Sequence, residues 1–167
     1  MRINAADTEF FEDDLKEIIP CAPEAVRLPK CNGPEDVVSA DKRISAIEER
    51  CGMRHGAVKI HAMIETALGL EKAFDTASAS PRVTALTIGG QDFTADMGVR
   101  KTKEGRELFY ARCRVAAAAH AAGVDSYDTV WADLQDNEGL LRETKEIVGL
   151  GFTGKACIHP SQVSVIH

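Results

Sequence analysis

Two acidic residues of this chain have the type and spacing that a metal site needs. Glu65 ends the apolar run 59–64, and Asp92 follows the apolar run 83–88 after two glycines. If these runs are neighbouring parallel strands, both carboxylates leave the sheet at its carboxyl edge, where parallel α/β folds keep their active sites. Two hard oxygen ligands that leave room for water and substrate suit Mg²⁺. We therefore predict a one-metal site at Glu65 and Asp92.

Other interpretations of these and nearby residues stay open from the sequence. Acidic residues that follow strands are also common as helix caps, which would give Glu65 and Asp92 a purely structural role. Lys30 or Lys59 would instead allow Schiff-base chemistry if its amine were desolvated. The segment 149–155 reads G-x-x-x-x-G-K, but a phosphate loop follows a strand and continues with Ser or Thr, where this chain has Ala156. For that segment we favour a helix stop followed by a turn.

The elements that must position these residues alternate along the chain. We predict strands at 1–4, 25–28, 59–64, 83–88, 128–132 and 155–158, separated by five helices at about 10–19, 34–50, 67–79, 105–122 and 137–150. Strands and helices that alternate without a hairpin signal indicate an α/β fold with a parallel sheet, either doubly wound or a barrel. A complete TIM (β/α)8 barrel needs about 250 residues. We therefore expect an incomplete TIM barrel, roughly strands three to eight, as a single partial domain over residues 1–167.

The third predicted strand has two unlike faces. Lys59, His61, Met63 and Glu65 alternate with apolar residues at 60, 62 and 64. The purely apolar face should pack on helices, which leaves the mixed face toward a barrel axis or cleft.

Composition bounds the class of protein. The chain has 167 residues, 44% of them hydrophobic and 28% charged, with a formal net charge of −6. This describes one soluble globular domain and argues against nucleic acid or an anionic membrane as partner. No signal peptide or membrane span is recognisable. Five cysteines without a C-x-x-C pair favour reduced thiols and a cytoplasmic location.

Several spaced phrases resemble one family. They are R-I-N-A-A-D-T at 2–8, R-L-P-K at 27–30, I-E-T-A-L-G-L at 64–70, S-P-R-V-T-A-L at 80–86, G-G-Q-D-F-T-A-D-M-G at 89–98, E-L-F-Y-A-R-C at 107–113, Y-D-T-V-W-A-D-L-Q-D-N-E-G-L at 127–140 and L-G-F-T-G-K-A-C-I-H-P-S-Q at 150–162. Together they resemble the HpcH/HpaI aldolase and citrate lyase family, and within it the citrate lyase beta branch. The resemblance extends over nearly the whole chain.

The resemblance implies a Mg²⁺-dependent TIM barrel that cleaves or forms a carbon–carbon bond beside a thioester. Glu65 and Asp92 match the family's metal carboxylates, and Arg2 matches the arginine that holds substrate oxygens. Backbone N–H groups at Gly89, Gly90 and Gln91 would hold a substrate carboxylate. The implied reaction splits a citryl thioester, carried by an acyl carrier protein or coenzyme A, into oxaloacetate and an acetyl thioester. The implied partners are that carrier protein, a citrate lyase alpha chain and further copies of this chain in a homo-oligomer.

The resemblance also departs from the family pattern. The family's early strands carry a glycine-bearing phrase and an L-E-D phrase whose acids assist proton transfer, and the chain begins after both. The family's closing segment lies beyond His167. We therefore expect weak or no lyase activity from this chain alone. A malyl-CoA or citramalyl-CoA lyase of the same family, and a truncated non-catalytic fragment or subunit, remain the alternatives.

Overall fold

A computed structural model describes all residues 1–167 as five strands and eight α-helices. The strands are β1 (Ala25–Leu28), β2 (Lys59–Ile64), β3 (Val83–Ile88), β4 (Asp125–Asp128) and β5 (Gly154–Lys155). The helices are α1 (Phe11–Ile18), α2 (Pro34–Arg50), α3 (Ala67–Glu71), α4 (Ala73–Ser78), α5 (Gly90–Asp96), α6 (Arg106–Ala122), α7 (Asn137–Gly149) and α8 (Val163–Ile166). None of these helices has the length and hydrophobicity needed to cross a bilayer.

The strands form one open sheet whose spatial order is the order of the chain, β1-β2-β3-β4-β5. Every pairing is parallel. A doubly wound sheet reverses its strand order at a switch point, whereas a barrel does not. The uninterrupted order therefore resolves the alternative left by the sequence in favour of an incomplete (β/α) barrel.

The hydrophobic core lies on one face of this sheet. A single cluster of 30 buried residues joins the apolar side chains of the strands to those of the helices, including α2, α4 and α6. On β2, Ile60, Ala62 and Ile64 are fully buried in that cluster, while Lys59 and His61 on the other face are only partly covered. The predicted division of this strand into an apolar helix-facing side and a mixed inner side is confirmed.

The predicted boundaries are wrong at both ends of the sheet. The segment 1–4 contributes one isolated bridge, between Arg2 and Arg27, instead of a strand. β4 covers 125–128 and not 128–132, because its polar residues pair with the neighbouring strands and the apolar Val130 and Trp131 come after the strand ends. β5 covers only 154–155, and Gly154 passes against the ring of Tyr127, where a Cβ would lie 2.7 Å from the ring.

The predicted helix 67–79 is two helices. Lys72 has φ −97° and ψ 14°, outside the regular helical range, and separates α3 from α4. Gly69 in α3 lies directly against the backbone carbonyl of Cys31, so that α3 is held at the carboxyl end of β1 while α4 continues along the sheet. The break therefore lies where the chain leaves the carboxyl edge.

Candidate active site

Glu65 stands at the carboxyl end of β2 and is 5% exposed. The backbone N–H of Lys30, just beyond β1, donates a hydrogen bond of 2.9 Å to its Oε2. The helix that follows is capped by the next residue, Thr66, whose hydroxyl accepts from the N–H of Gly69 at 3.0 Å. The interpretation of Glu65 as a helix cap is therefore wrong, and its carboxylate is held in place by a neighbouring strand end.

Gly89 closes the opposite side of the Glu65 carboxyl group. A Cβ built on Gly89 would lie 2.5 Å from Glu65 Cγ and closer still to Oε1. The N–H of Gly89 donates to the carbonyl of Ile64 at 3.0 Å, which fixes the turn after β3 against the end of β2. Only a residue without a side chain allows the two strand ends to approach this closely.

Asp92 lies in the first turn of α5, immediately after this turn, and is exposed. The cap residue of α5 is Gly89, and no side chain caps the helix. Because β2 and β3 are adjacent and parallel, the residues that follow them meet at one edge of the sheet, as predicted. The structure thus brings Glu65 and Asp92 to the same place.

The electrostatics of Glu65 reflect that proximity. Burial raises the pKa of Glu65 above its ordinary value, and the negative charge of Asp92 raises it further, while the Lys30 N–H and the charges of Lys30 and Arg2 oppose the rise. No ion pair of the chain involves either carboxylate. A buried carboxylate beside a second, exposed one, neither of them in an ion pair, is an arrangement that a bound cation would stabilise.

The donor set also limits which cation fits. No group of three or more His, Cys, Asp or Glu residues lies close enough together to hold a metal ion. Two carboxylate ligands alone leave most coordination positions to water and substrate oxygens, which is the arrangement that Mg²⁺ accepts and that structural zinc does not. The residues present therefore fit Mg²⁺.

Arg2 is placed beside β1 by backbone hydrogen bonds on both sides of it. Arg27 N–H donates to the carbonyl of Met1 at 2.7 Å, and Ile3 N–H donates to the carbonyl of Arg27 at 3.2 Å. The Arg2 side chain is exposed, and its charge is close enough to lower the pKa of Glu65. The predicted substrate-binding cation therefore lies near enough to act electrostatically on Glu65, one of the two predicted metal carboxylates.

The three residues predicted to bind a substrate carboxylate differ in what they offer. The N–H of Gly89 donates to the carbonyl of Ile64, and the N–H of Gly90 donates to the hydroxyl of Thr129 at 3.1 Å. Gln91 is exposed in the first turn of α5 and lines a cavity of about 210 Å³. The same cavity is lined by Lys101, Lys103 and Trp131. Of the three, Gln91 is the residue with open space beside it.

The alternative chemistries lack the surroundings that they need. Lys30 is exposed, so its amine is not desolvated as a Schiff base requires, and Lys59 begins β2 at the opposite, amino edge of the sheet. The ammonium group of Lys155 is fully buried and bonded to Asp128 at 2.8 Å and to Glu143 at 2.5 Å. The glycines before it end α7 and form a turn, so the phosphate-loop interpretation is excluded.

Two features of this region were missed by the sequence analysis. The backbone N–H of Lys30, a residue with φ +50°, binds the Glu65 carboxylate. A pattern of side chains cannot predict a contact that the backbone makes. Arg27 lies on the inner face of β1 with its Nε buried and without a hydrogen-bond partner. The alternation that was applied to β2, applied equally to β1, would have placed Arg27 on that face.

Comparison with known protein families gives one match that extends over almost the whole chain. The profile of the HpcH/HpaI aldolase/citrate lyase family matches residues 1–160. Citrate lyase subunit beta of Escherichia coli K12 is 36% identical over 167 residues, which are 100% of this chain and 55% of that protein. The mitochondrial citramalyl-CoA lyase of Homo sapiens is 33% identical over 99% of this chain and 52% of its own length. The chain thus spans about half the length of these curated relatives.

Solved structures agree with the sequence comparison. A citrate lyase beta subunit from M. tuberculosis, complexed with oxaloacetate and magnesium, superposes with a TM-score of 0.83 at 29% identity. The match covers 99% of this chain and 69% of that one. The two chains therefore share one fold over this region.

Proposed function

Since the chain belongs to the HpcH/HpaI aldolase/citrate lyase family, we propose that it carries the metal-binding and oxo-acid-binding part of a Mg²⁺-dependent carbon–carbon lyase. The substrate is a citryl thioester, attached to an acyl carrier protein or to coenzyme A, and the products are oxaloacetate and an acetyl thioester. One observation carries the proposal: Glu65 and Asp92 meet at the carboxyl edge, and neither carboxylate forms an ion pair within the chain.

In this proposal Glu65 and Asp92 hold Mg²⁺. The Lys30 N–H fixes Oε2 of Glu65, and the close approach of Gly89 keeps the carboxyl group from turning away. Residues that orient a ligand in this way raise both its affinity and its precision. The magnesium ion, when bound, supplies Lewis-acid polarisation of the hydroxyl or oxo oxygen of the substrate.

Arg2 and the turn at 89–91 provide the substrate contacts. The planar guanidinium of Arg2 donates two parallel hydrogen bonds to carboxylate and carbonyl oxygens. The turn of Gly89, Gly90 and Gln91 borders the same substrate, and Gln91, which has open space beside it, makes the contact, because the N–H groups of the two glycines are bonded within the chain. In the reaction the bond between the hydroxyl-bearing carbon and the thioester's methylene carbon breaks. The hydroxyl proton leaves to a base, the hydroxyl carbon becomes the oxo group of oxaloacetate, and the methylene carbon takes the electron pair and then a proton.

The assembly around this site is part of the proposal. The single core cluster supports one partial barrel domain over residues 1–167. The thioester carrier, an alpha chain of citrate lyase and further copies of this chain are the proposed partners. The 33% identity to a citramalyl-CoA lyase favours, as a second candidate, a citramalyl or malyl thioester as substrate.

The test of the proposal is Mg²⁺ binding by the chain and its variants. Thermal unfolding of the wild type should shift upward with Mg²⁺, and further with oxaloacetate, because ligands that bind the folded state stabilise it. Glu65→Gln and Asp92→Asn should remove both shifts and keep the circular dichroism spectrum. Asp75→Asn is the matched control, since Asp75 is an exposed acid on α4. Melting-temperature shifts of wild-type size in the Glu65 and Asp92 variants would show that Mg²⁺ does not bind at this pair of residues.

A further inference from the structure

The two proposed metal ligands are held in place by different means. The carboxylate of Glu65 accepts a hydrogen bond from the Lys30 N–H. The side chain of Asp92 makes no hydrogen bond, and those formed around it belong to its neighbours Gly90 and Thr94. The position of the Asp92 carboxylate relative to Glu65 is therefore set by the placement of α5, the helix that carries Asp92.

The first residue of α5 is fixed to the end of β4. The N–H of Gly90 donates a hydrogen bond of 3.1 Å to the hydroxyl of Thr129, which follows β4 directly and is 4% exposed. A Cβ on Gly90 would lie 3.0 Å from Thr129 Oγ1 and 3.0 Å from Leu108 Cδ1. The backbone of Gly90 thus packs tightly between the end of β4 and α6. The start of α5 cannot shift toward either neighbour without a clash.

The last residue of α5 is fixed to the segment that carries Glu65. The carboxylate of Asp96 accepts a hydrogen bond of 2.8 Å from the N–H of Ala67, two residues after Glu65. The two ends of this seven-residue helix are thus bonded to segments that follow two different strands. Losing the bond at the start of the helix would allow Asp92 to move relative to Glu65.

Thr129 is itself held by buried charges. The ammonium group of Lys155 donates to the carbonyl of Thr129 at 2.8 Å and to the carboxylate of Asp128 at 2.8 Å. Arg112 donates to the same carboxylate at 2.9 Å, and these three charged side chains are at most 1% exposed. Hydrogen bonds between charged groups are stronger than those between neutral groups. The Thr129 hydroxyl is therefore a fixed acceptor for the Gly90 N–H.

We propose that Thr129 is a positioning residue of the candidate metal site. Its hydroxyl fixes Gly90 and, through α5, places Asp92 where it shares a metal ion with Glu65. This inference rests on the function proposed above. Thr129 binds no metal in this assignment and acts only through the helix. Contacts that orient a metal ligand in this way are worth about 10- to 100-fold in metal affinity.

A purely structural role for Thr129 makes a different prediction. If the hydroxyl only satisfies a buried N–H, removing it destabilises the fold because that donor is left unpaired, and the affinity for Mg²⁺ does not change. A positioning role lowers the affinity for Mg²⁺ as well. Metal affinity, measured beside stability, therefore separates the two roles.

The test is isothermal titration of the 167-residue chain with Mg²⁺, with thermal unfolding of each variant. We expect Thr129→Val, which replaces the hydroxyl by a methyl group, to weaken Mg²⁺ binding about 10- to 100-fold. Thr129→Ser keeps the acceptor and should stay within about twofold of the wild type. Thr129→Cys should fall between them, because a thiol is a weak acceptor.

Thr144→Val is the matched control. Thr144 is a buried threonine of α7 whose hydroxyl donates to the carbonyl of Leu140 at 2.7 Å, within its own helix. The same replacement there should lower the melting temperature and leave the affinity for Mg²⁺ unchanged.

Three results would overturn the inference. They are wild-type Mg²⁺ affinity in a folded Thr129→Val chain, a loss of affinity in Thr129→Ser as large as that in Thr129→Val, and an equal loss in Thr144→Val. If Thr129→Val does not fold, wild-type affinity in a folded Thr129→Cys chain would overturn it equally. A wild type that does not bind Mg²⁺ would refute the proposed function, and the positioning role of Thr129 with it.

Discussion

Replacing Gly89 by alanine is the sharpest perturbation of the candidate site that leaves every proposed ligand in the sequence. Gly89 has φ −95° and ψ 79°, so alanine meets no left-handed backbone restriction there. The added methyl group would lie 2.5 Å from Glu65 Cγ. Since carbon atoms pack at about 3.5 Å or more, the Glu65 side chain must move by about 1 Å.

That movement has two consequences of different size. It breaks the hydrogen bond from the Lys30 N–H to Oε2, which sets an upper limit of about 1.5–3 kcal/mol on the lost free energy of unfolding. For a chain of this length each 1 kcal/mol lowers the melting temperature by about 2–4 °C. Losing the contact that orients a metal ligand should weaken Mg²⁺ binding about 10- to 100-fold. The chain should therefore stay folded while its site loses affinity.

Isothermal titration with Mg²⁺ and thermal unfolding separate these effects. Gly149→Ala is the control, because a Cβ at that helical glycine meets nothing within 4 Å and its φ is not positive. We expect wild-type Mg²⁺ affinity in Gly149→Ala and a clear loss in Gly89→Ala. Wild-type affinity in a folded Gly89→Ala chain would refute the argument that the turn after β3 holds Glu65 for the metal.

Three further predictions concern charge and pH. Burial and the charge of Asp92 raise the pKa of Glu65. The metal-free wild type should therefore gain stability relative to Glu65→Gln as pH falls through that raised pKa toward 4.5. The affinity for Mg²⁺ should fall over the same range, because the protonated carboxyl group binds a cation poorly. Thermal unfolding and Mg²⁺ titration of both chains at several pH values measure this, and parallel pH profiles would contradict it. Arg82→Met leaves the acids Asp41 and Glu48 without their ion-pair partner, which binds them at 2.5 Å and 2.6 Å in the wild type. Urea unfolding should therefore report a free energy of unfolding that is lower by about 3–5 kcal/mol. A loss below about 1 kcal/mol in Arg82→Met would show that this network contributes little. Because the pKa of Glu48 is held at about 2, the stability that its ionised carboxylate gives the folded chain should disappear as pH falls from about 4.5 toward 2.

The parts of the fold that follow from local pattern were predictable. The predicted boundaries of the strands 25–28, 59–64 and 83–88 match the structure, because each strand has an apolar face that must be buried and is bounded by turn residues. The helix before Gly123 ends where predicted, since that glycine adopts φ +70°. The fourth strand of the sheet was predicted too late in the chain, because it begins and ends with the polar residues Asp125 and Asp128, and polar residues do not indicate a buried strand.

Sequence alone determined which residues carry the candidate chemistry. Acids that follow two consecutive parallel strands must reach one sheet edge, so Glu65 and Asp92 were identifiable before any coordinates, and their match to the family added Arg2. The strand order was not determined in this way, because alternating strands and helices suit both a barrel and a doubly wound sheet. Pairing of distant segments decided between them.

The tertiary structure alone decided the surroundings of those residues. The hydrogen bond from the Lys30 backbone, the close approach of Gly89 and the unpaired Nε of Arg27 arise from segments 24 to 38 residues away from Glu65 in the chain. Such contacts depend on how strands are paired and how side chains fill the space between them, which no local periodicity encodes. Residue type set the chemistry that is possible, and packing set which groups are buried, oriented and left free to bind.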